Sequence, residues 1–334
     1  MANDVATYLK PPTSIGVAVP VSKPIPSGKS IIWVATGLPQ AVTILKGLKA
    51  AAATLGWSVK SITYDPTNPA TINSSLESAI AQKPAAIVLN GLLTPQFNTQ
   101  ISKASAAHIP LIPAATPDAA QANVYPVLNT DVMNRYAGKI LADVLLSDAA
   151  RSGSAAHVLQ LTVPAVATYL KPEDDGLKAE LAVKCPDCTR DLLNISLPDV
   201  FNGNYTHQVV SYLQSHSDIK YIVSDSGQLE DGLAGALQQT GITDVKRYGI
   251  SATNVQINEL RNGQPGGWVV QAYQEQGWVI ADQVARVIVG DPTNLWDGYN
   301  LGYVLTATNA NRVDPNDPEF PADYPTQFKK LWNK

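Results

Sequence analysis

The chain has 334 residues, of which only 16% are charged, and a formal net charge of −4. That length is enough for two α/β domains with a core each, while the slightly acidic balance offers no basic footprint for nucleic acid or an anionic membrane surface. No apolar stretch approaches the roughly 18 to 20 residues that cross a bilayer.

Residues 1–29 hold five prolines among small and polar residues and read as an extended strap. They lack the charged-then-apolar layout of a secretory signal, which leaves two readings: a cytosolic protein, or a secreted one whose signal segment is absent from this sequence. "SIIWVATGLPQAVTILKGLKAAAATLG" at 30–56 then reads as strand, short loop and amphipathic helix, with Ala41, Leu45, Leu48, Ala52 and Leu55 at helical spacing. Such a junction is where open α/β sheets place ligands. One glycine is too few to cradle a phosphate, and neither dinucleotide nor P-loop motif is present, so no nucleotide cofactor is expected.

Strands are predicted at 59–64, 85–89, 110–112 and 124–128, with helices at 72–81 and around Phe97, Ile101 and Ala104. A longer helix follows, with Asp131 as its N-cap and Ala137, Ile140, Leu141 and Val144 turned inward. The pattern then restarts, with strands at 157–162, 191–197, 221–224, 247–250 and 268–272 separated by helical segments. Strands alternating with helices imply parallel sheets covered on both faces. Two such runs suggest two lobes of similar architecture. Beyond Ala272 come a helix at 276–289, with Ile280, Val284 and Val287 on one face, and a late strand within "GYNLGYVLTAT" at 298–308. A lone helix and strand make a poor domain, so they are expected to return to the lobes already formed, giving three connections and a hinge. The expected division is 1–29 as the strap, 30–129 with 274–301 as the first lobe, and 130–273 with 302–334 as the second.

Cys185 and Cys188 form "CPDC". A redox cysteine gains its low pKa at a helix start after a strand; here the pair follows the helical segment 174–183, where the helix dipole disfavours thiolate. A structural disulfide is expected, which favours an oxidising compartment. Zinc would need two more ligands, and His108, His157, His207 and His216 show no matching spacing, so no metal is assigned. No nucleophile elbow or zincin motif appears, and no catalytic residue is assigned.

Several stretches in this order resemble the ribose-type periplasmic sugar-binding proteins, the solute receptors of ABC importers, whose fold the lactose-repressor effector domain shares. They are "SIIWVATGLPQ", "AAIVLNGLLTPQ", "IPLIPAATPD", "VYPVLNTD", "IKYIVSDSGQLEDGLAGALQQTG", "VKRYGISATN" and "GWVVQAYQEQGW", covering 30 to about 310. The resemblance implies the type I fold: two lobes, each a parallel sheet between helices, joined by a three-crossover hinge. It implies a monomeric extracytoplasmic receptor, in the periplasm or tethered by lipid, that captures a small solute in an interlobe cleft and delivers it to ABC permease subunits. Closure follows because the closed state binds the solute more tightly.

Carried over by position, the first-loop contacts fall on Gly37, Leu38 and Gln40, the end of the third strand on Asn90, and Ala115-Thr116 stand where sugar binders often have Asp-Arg. Glu173 stands where they often have Arg, Phe201 matches the stacking Phe, Ser226 the Asn, Ser251 a later Asp, and Gln271 or its neighbour the hinge Gln. Tyr169 and Tyr273 are in predicted cleft loops, where aromatic faces could cover a sugar, polyol or ring compound. Asp225 is read either as a ligand acceptor or as an N-cap, and Glu173, Asp174 and Asp175 either as ligand groups or as charges in a helical first turn. With few convergent cations, a neutral solute is expected rather than a phosphorylated one. The other readings on this fold are a signal or chemotaxis receptor, a receptor for a non-sugar solute and a regulator's effector domain; an α/β enzyme is the rival of a different kind.

Overall fold

The structure, a computed structural model, describes residues 2–65, 68–153, 155–164, 167–296 and 302–334, with the side chains of 2–4, Pro69, 167–169 and Phe201 also outside the description. In chain order the helices and strands are α1 (Ala2–Tyr8), β1 (Ser30–Ala35), α2 (Pro39–Leu55), β2 (Ser58–Thr63), α3 (Pro69–Ala81), β3 (Ala86–Asn90), α4 (Asn98–Ala106), β4 (Leu111–Ala114) and α5 (Thr130–Ser152). There follow β5 (His157–Thr162), α6 (Ala167–Lys184), β6 (Thr189–Asn194), α7 (Leu197–Asn202), α8 (Tyr205–Ser215), β7 (Tyr221–Ser224) and α9 (Leu233–Gln239). Last come β8 (Lys246–Ile250), α10 (Asn254–Arg261), β9 (Gly266–Val269), α11 (Tyr273–Val289), β10 (Val304–Leu305) and α12 (Tyr324–Leu331).

Two compact units result. The first comprises 13–133, 272–299 and 319–334; the second comprises 1–12, 134–271 and 300–318. In the first unit β1 to β4 form a parallel sheet in the order β2-β1-β3-β4, with Ile31 opposite both Val59 and Ala86. Ile31 to Ala35 and all of β3 are buried, as strands covered on both faces must be, while the edge strand β2 is partly exposed. Ile32, Val34, Leu76, Ile87, Leu89, Phe97 and Leu111 fill one core.

On the other face α2 and α11 approach until their backbones nearly touch. A Cβ on Gly47 would stand 1.9 Å from the Gln274 carbonyl oxygen, and one on Gly277 2.2 Å from the Leu48 nitrogen. Only glycine permits that approach. The far side of α11 carries an aromatic cluster in which Trp278 stacks on Trp332 and Trp296 on Phe328. Asp282 binds the cluster's polar edges, accepting from Trp296 Nε1 at 2.9 Å, Trp332 Nε1 at 2.8 Å and Arg286 Nε at 2.6 Å.

In the second unit the sheet order is β10-β9-β8-β7-β5-β6, parallel except for the short β10, which runs antiparallel to β9. Strands β6-β5-β7-β8 repeat the order β2-β1-β3-β4. One face packs on α5 and α6 through Ile140, Leu141, Leu145, Leu177 and Leu181, and the other on α8 and α9 through Val209, Leu213, Leu233 and Leu237.

The structure departs from the sequence expectations at several points. Residues 1–29 are not one strap: α1 is helical and buries Val5 and Tyr8 in the second unit's core, whereas the residues from Thr13 onward belong to the first unit. The last sixteen residues, expected in the second lobe, lie in the first unit because Phe328 and Trp332 complete the cluster on α11. Residues 124–128 form only isolated bridges to β4 rather than a strand. The cap of α5 is Asn129, whose Oδ1 accepts from Asp131 N at 2.9 Å, and not Asp131. Helix α6 begins at Ala167, so Glu173, Asp174 and Asp175 lie past its first turn, away from the strongest pull of the dipole. The expected late strand lies partly in 297–301, outside the described residues, and its described part is β10.

Candidate functional site

In a parallel sheet all the strand carboxyl ends share one edge, and loops gather there. In the first unit this edge holds the β1–α2 turn. Leu38 is the N-cap residue of α2, with extended backbone and no side-chain cap, and its side chain is 49% exposed. Gly37 is exposed, with open space where a Cβ would stand, and Gln40 is half-buried. At the end of β3, Asn90 is buried, and its carbonyl accepts from the Tyr64 hydroxyl at 3.4 Å.

After β4 the chain turns sharply at Ala115, whose φ of +56° lies in the left-handed region that non-glycine residues avoid. Thr116 follows, fully buried, and its hydroxyl has no hydrogen-bond partner among the described residues. Nearby Asp118, which sequence reasoning missed, accepts from Thr94 N at 3.1 Å and Thr94 Oγ1 at 2.6 Å, while its other oxygen is buried without a partner among the described residues. Tyr273, the first residue of α11, is half-buried.

The second unit carries the denser cluster. Gln160 lies mid-strand in β5 with no exposed surface, donating from Nε2 to Asp225 Oδ1 at 2.9 Å and accepting from Arg190 at Oε1. Arg190 in turn pairs with Asp174. Asp225 is 1% exposed, and its Oδ2 has no partner among the described residues; neither has either carboxyl oxygen of Glu173, which is wholly buried. Burial, joined by the charges of Asp225 and then Asp174, holds the Glu173 carboxyl well above the usual carboxylate range. Burial likewise pushes Asp225 up to about 6, against the opposing hydrogen bonds from Thr162 and Gln160. The arrangement is an acid pair with three oxygens left to hydrogen-bond, beside a cation already engaged by Asp174.

Asp225 caps nothing. The turn after β7 is capped by Ser226, whose Oγ accepts from Gln228 N at 3.4 Å. Ser251, half-buried after β8, has a φ of +53°, so the two units hold a strained non-glycine residue at equivalent strand ends, Ala115 after β4 and Ser251 after β8. The Ser251 carbonyl lies 2.8 Å from where a Cβ on Gly227 would stand, which ties the loops after β7 and β8 together. Gln271 is half-buried beyond β9. Tyr169 lies on α6 and Phe201 on α7, but both side chains fall outside the described residues.

Glu173, Asp225 and Ser226 thus share one neighbourhood, to which Gln160, Asp174 and Arg190 also belong; a glutamine in the otherwise apolar run "HVLQL" was the signal for that network. Histidine 157 starts β5, away from the strand carboxyl ends, bonded to Asp218 at 2.6 Å and Asp191 at 3.1 Å. The disulfide joins Cys185 and Cys188 directly after α6, and Cys188 Sγ accepts from Ala156 N at 3.1 Å. Among the described residues no group of three or more His, Cys, Asp or Glu side chains could hold a metal ion, and no helix is long and apolar enough to cross a membrane.

No curated protein matches the chain. Among solved structures, an ABC sugar transporter subunit from Rhodobacter sphaeroides 2.4.1 is 22% identical, with 85% of this chain and 99% of that one covered at a TM-score of 0.68. An ABC transporter solute-binding protein from Agrobacterium vitis, bound with α-D-tagatopyranose, is 21% identical over 84% of this chain and 95% of that one, at a TM-score of 0.66. A protein described as a LacI transcriptional regulator, from Bacteroides fragilis, is 14% identical over 86% and 99%, at a TM-score of 0.65. At such identities the likeness shows the fold alone, an α/β architecture of parallel sheets flanked by helices. The model of the periplasmic binding protein domain matches residues 28–292, and on that match the chain belongs to the periplasmic binding protein family.

Proposed function

We propose that this chain is an extracytoplasmic receptor that captures a small neutral solute, a sugar or polyol, and delivers it unaltered to an ABC importer. The observation that carries the reading is the buried acid pair Glu173 and Asp225, whose partnerless oxygens lie at the loop-bearing edge of the second unit's sheet. Solute hydroxyl groups donate well to such oxygens, and a bond to the charged carboxylate of Asp225 contributes about 1.5 to 3 kcal/mol. A phosphate would meet the negative charge of Asp225 and Asp174, and Arg190 is already paired. Gln40, Asn90, Thr116 and Tyr273 from the first unit, with Ser226, Ser251 and Gln271 from the second, complete the proposed contacts. Tyr169 and Phe201 join them through the family resemblance. The sugar in the Agrobacterium vitis relative supports the solute class, and the disulfide supports an oxidising compartment outside the cytoplasm.

A thermal-shift series with neutral sugars, polyols and sugar phosphates tests this. A matching neutral solute at about 100 times its Kd is expected to add about 2.7 kcal/mol of stability. If only the phosphorylated compounds raise the melting temperature, the reading is wrong.

A further inference from the structure

In the second unit the loop after β7 carries Asp225 and Ser226, two of the proposed contacts, and several elements of that unit hold it. Ser224 ends β7, Asp225 follows, and Gly227–Glu230 form a short 3₁₀ turn. Glu230 is wholly buried. Its Oε1 accepts from Ser224 Oγ at 2.7 Å, so the carboxyl group closes the loop onto the strand end it springs from, and its Oε2 accepts from Arg247 on β8 at 3.2 Å. Arg247, also buried, donates in turn to Glu259 on α10 at 2.8 Å.

The outer side of the loop is fastened as well. The Tyr205 hydroxyl on α8 donates to the Asp231 carbonyl at 2.5 Å and lies 3.2 Å from that of Gln228. Gln256 on α10 has no exposed surface; its Oε1 accepts from Thr253 N at 2.8 Å, and its Nε2 donates to Asp231 Oδ1 at 3.2 Å. A Cβ on Gly227 would stand 2.6 Å from Gln256 Oε1, so this amide packs directly against the turn.

Successive side chains along a strand take opposite faces. Ser224 accordingly turns to Glu230, and Asp225 to Gln160. Burial pushes the Glu230 carboxyl up to about 7, against the opposing pull of Arg247 and the Ser224 bond. An apolar side chain would fill the same space without the cost of burying an acid. It could not grip Ser224.

We propose that Glu230 is a positioning residue for solute capture: by joining Ser224 to Arg247 it fixes the strand end from which Asp225 presents its carboxyl group. The inference rests on the reading of Asp225 as a solute acceptor, yet the positioning itself needs no solute. Once the loop is released from Glu230, water reaches Asp225 and the Gln160 bond loosens. Burial is the largest cause of the raised Asp225 value, so hydration of the charged form outweighs the loss of that bond.

Carbon-13 NMR of the aspartate carboxyl groups, recorded against pH on the solute-free chain, tests this. The Asp225 resonance is the one lost in Asp225→Asn. The charges about it are Glu173, Asp174 and Arg190, and those about Glu230 are Arg247 and Glu259; all five stay in place in every variant. In Glu230→Met, which keeps most of the volume and no acceptor, the Asp225 midpoint is expected to fall by at least about one pH unit, toward the ordinary value of about 3.9. Glu230→Gln loses the charge but can bond the Ser224 hydroxyl through either end of its amide, and its midpoint should stay with the parent's. Circular dichroism establishes folding; if the methionine variant does not fold, Ser224→Ala, which leaves the ion pair intact, decides the matter with the same fall expected. A midpoint unmoved in the folded variants overturns the proposal. An equal fall in the methionine and glutamine variants also overturns it, because Glu230 would then act through its charge alone. With no solute in the measurement, a failed titration and a failed thermal-shift series are separate results.

Discussion

Asp225 makes stability depend on pH in a direction opposite to that of a salt-bridged aspartate. Its folded pKa of about 6 lies above the unfolded value of about 3.9, so the native state holds the proton more tightly. That contribution is complete below the unfolded pKa and is lost as pH rises through the folded one, a change of order 2 to 3 kcal/mol at this burial. Asp225→Asn keeps an acceptor for Gln160 but removes the titration. Denaturant midpoints should show the variant more stable than the parent at pH 7.5 and close to it at pH 4; parallel profiles would contradict the assignment. The disulfide behaves differently. It closes a loop of only four residues, so Cys185→Ser with Cys188→Ser should cost no more than about 2 kcal/mol. Solute affinity should survive in calorimetry, and a large loss of binding would give the pair a role beyond structure. Among these residues, Cys185 and Cys188 were legible because a helix end precedes them. Glu173 and Asp225 were legible only as candidates, since the network through Gln160 joins strand to strand and has no local spacing to reveal it.

At the scale of elements, the meeting of α2 and α11 is the least tolerant contact described. Gly277→Ala would place a methyl group 2.2 Å from the Leu48 nitrogen, and backbone cannot rotate aside as a side chain can. The expected cost is at least about 1 to 3 kcal/mol, read as a lower urea midpoint at unchanged slope. An unchanged midpoint would mean that the two helices have room to part. The strands of both sheets were legible to within a few residues, because buried parallel strands are continuous apolar runs and the helices between them carry a helical period. Residues 124–128 misled because apolar content alone does not ensure a ladder. The cap of α5 was misplaced by two residues because Asn129 and Asp131 are both good capping types.

For the whole molecule, the alternation of strands and helices made the two-unit plan readable, while the courses of the ends were not. Trp296, Phe328 and Trp332 look in sequence like scattered aromatics, and only the packing on Trp278 and the shared carboxylate of Asp282 assign the tail to the first unit. The edge strands β2 and β6 bear on assembly, since an open edge invites pairing between copies. Lys60 on β2 and Arg190 and Asp191 on β6 place charges on those edges, which opposes such pairing. Light scattering on the eluting protein should therefore give a mass near the monomer's 35.6 kDa; twice that value would reopen the question of an edge-to-edge dimer.

The separate seating of the two ends has a practical side. Helix α1 is built into one unit and α12 into the other. A donor fluorophore fused ahead of the first residue and an acceptor fused behind the last would each ride on a different body, so an optical sensor could be assembled from this chain without cutting into either core.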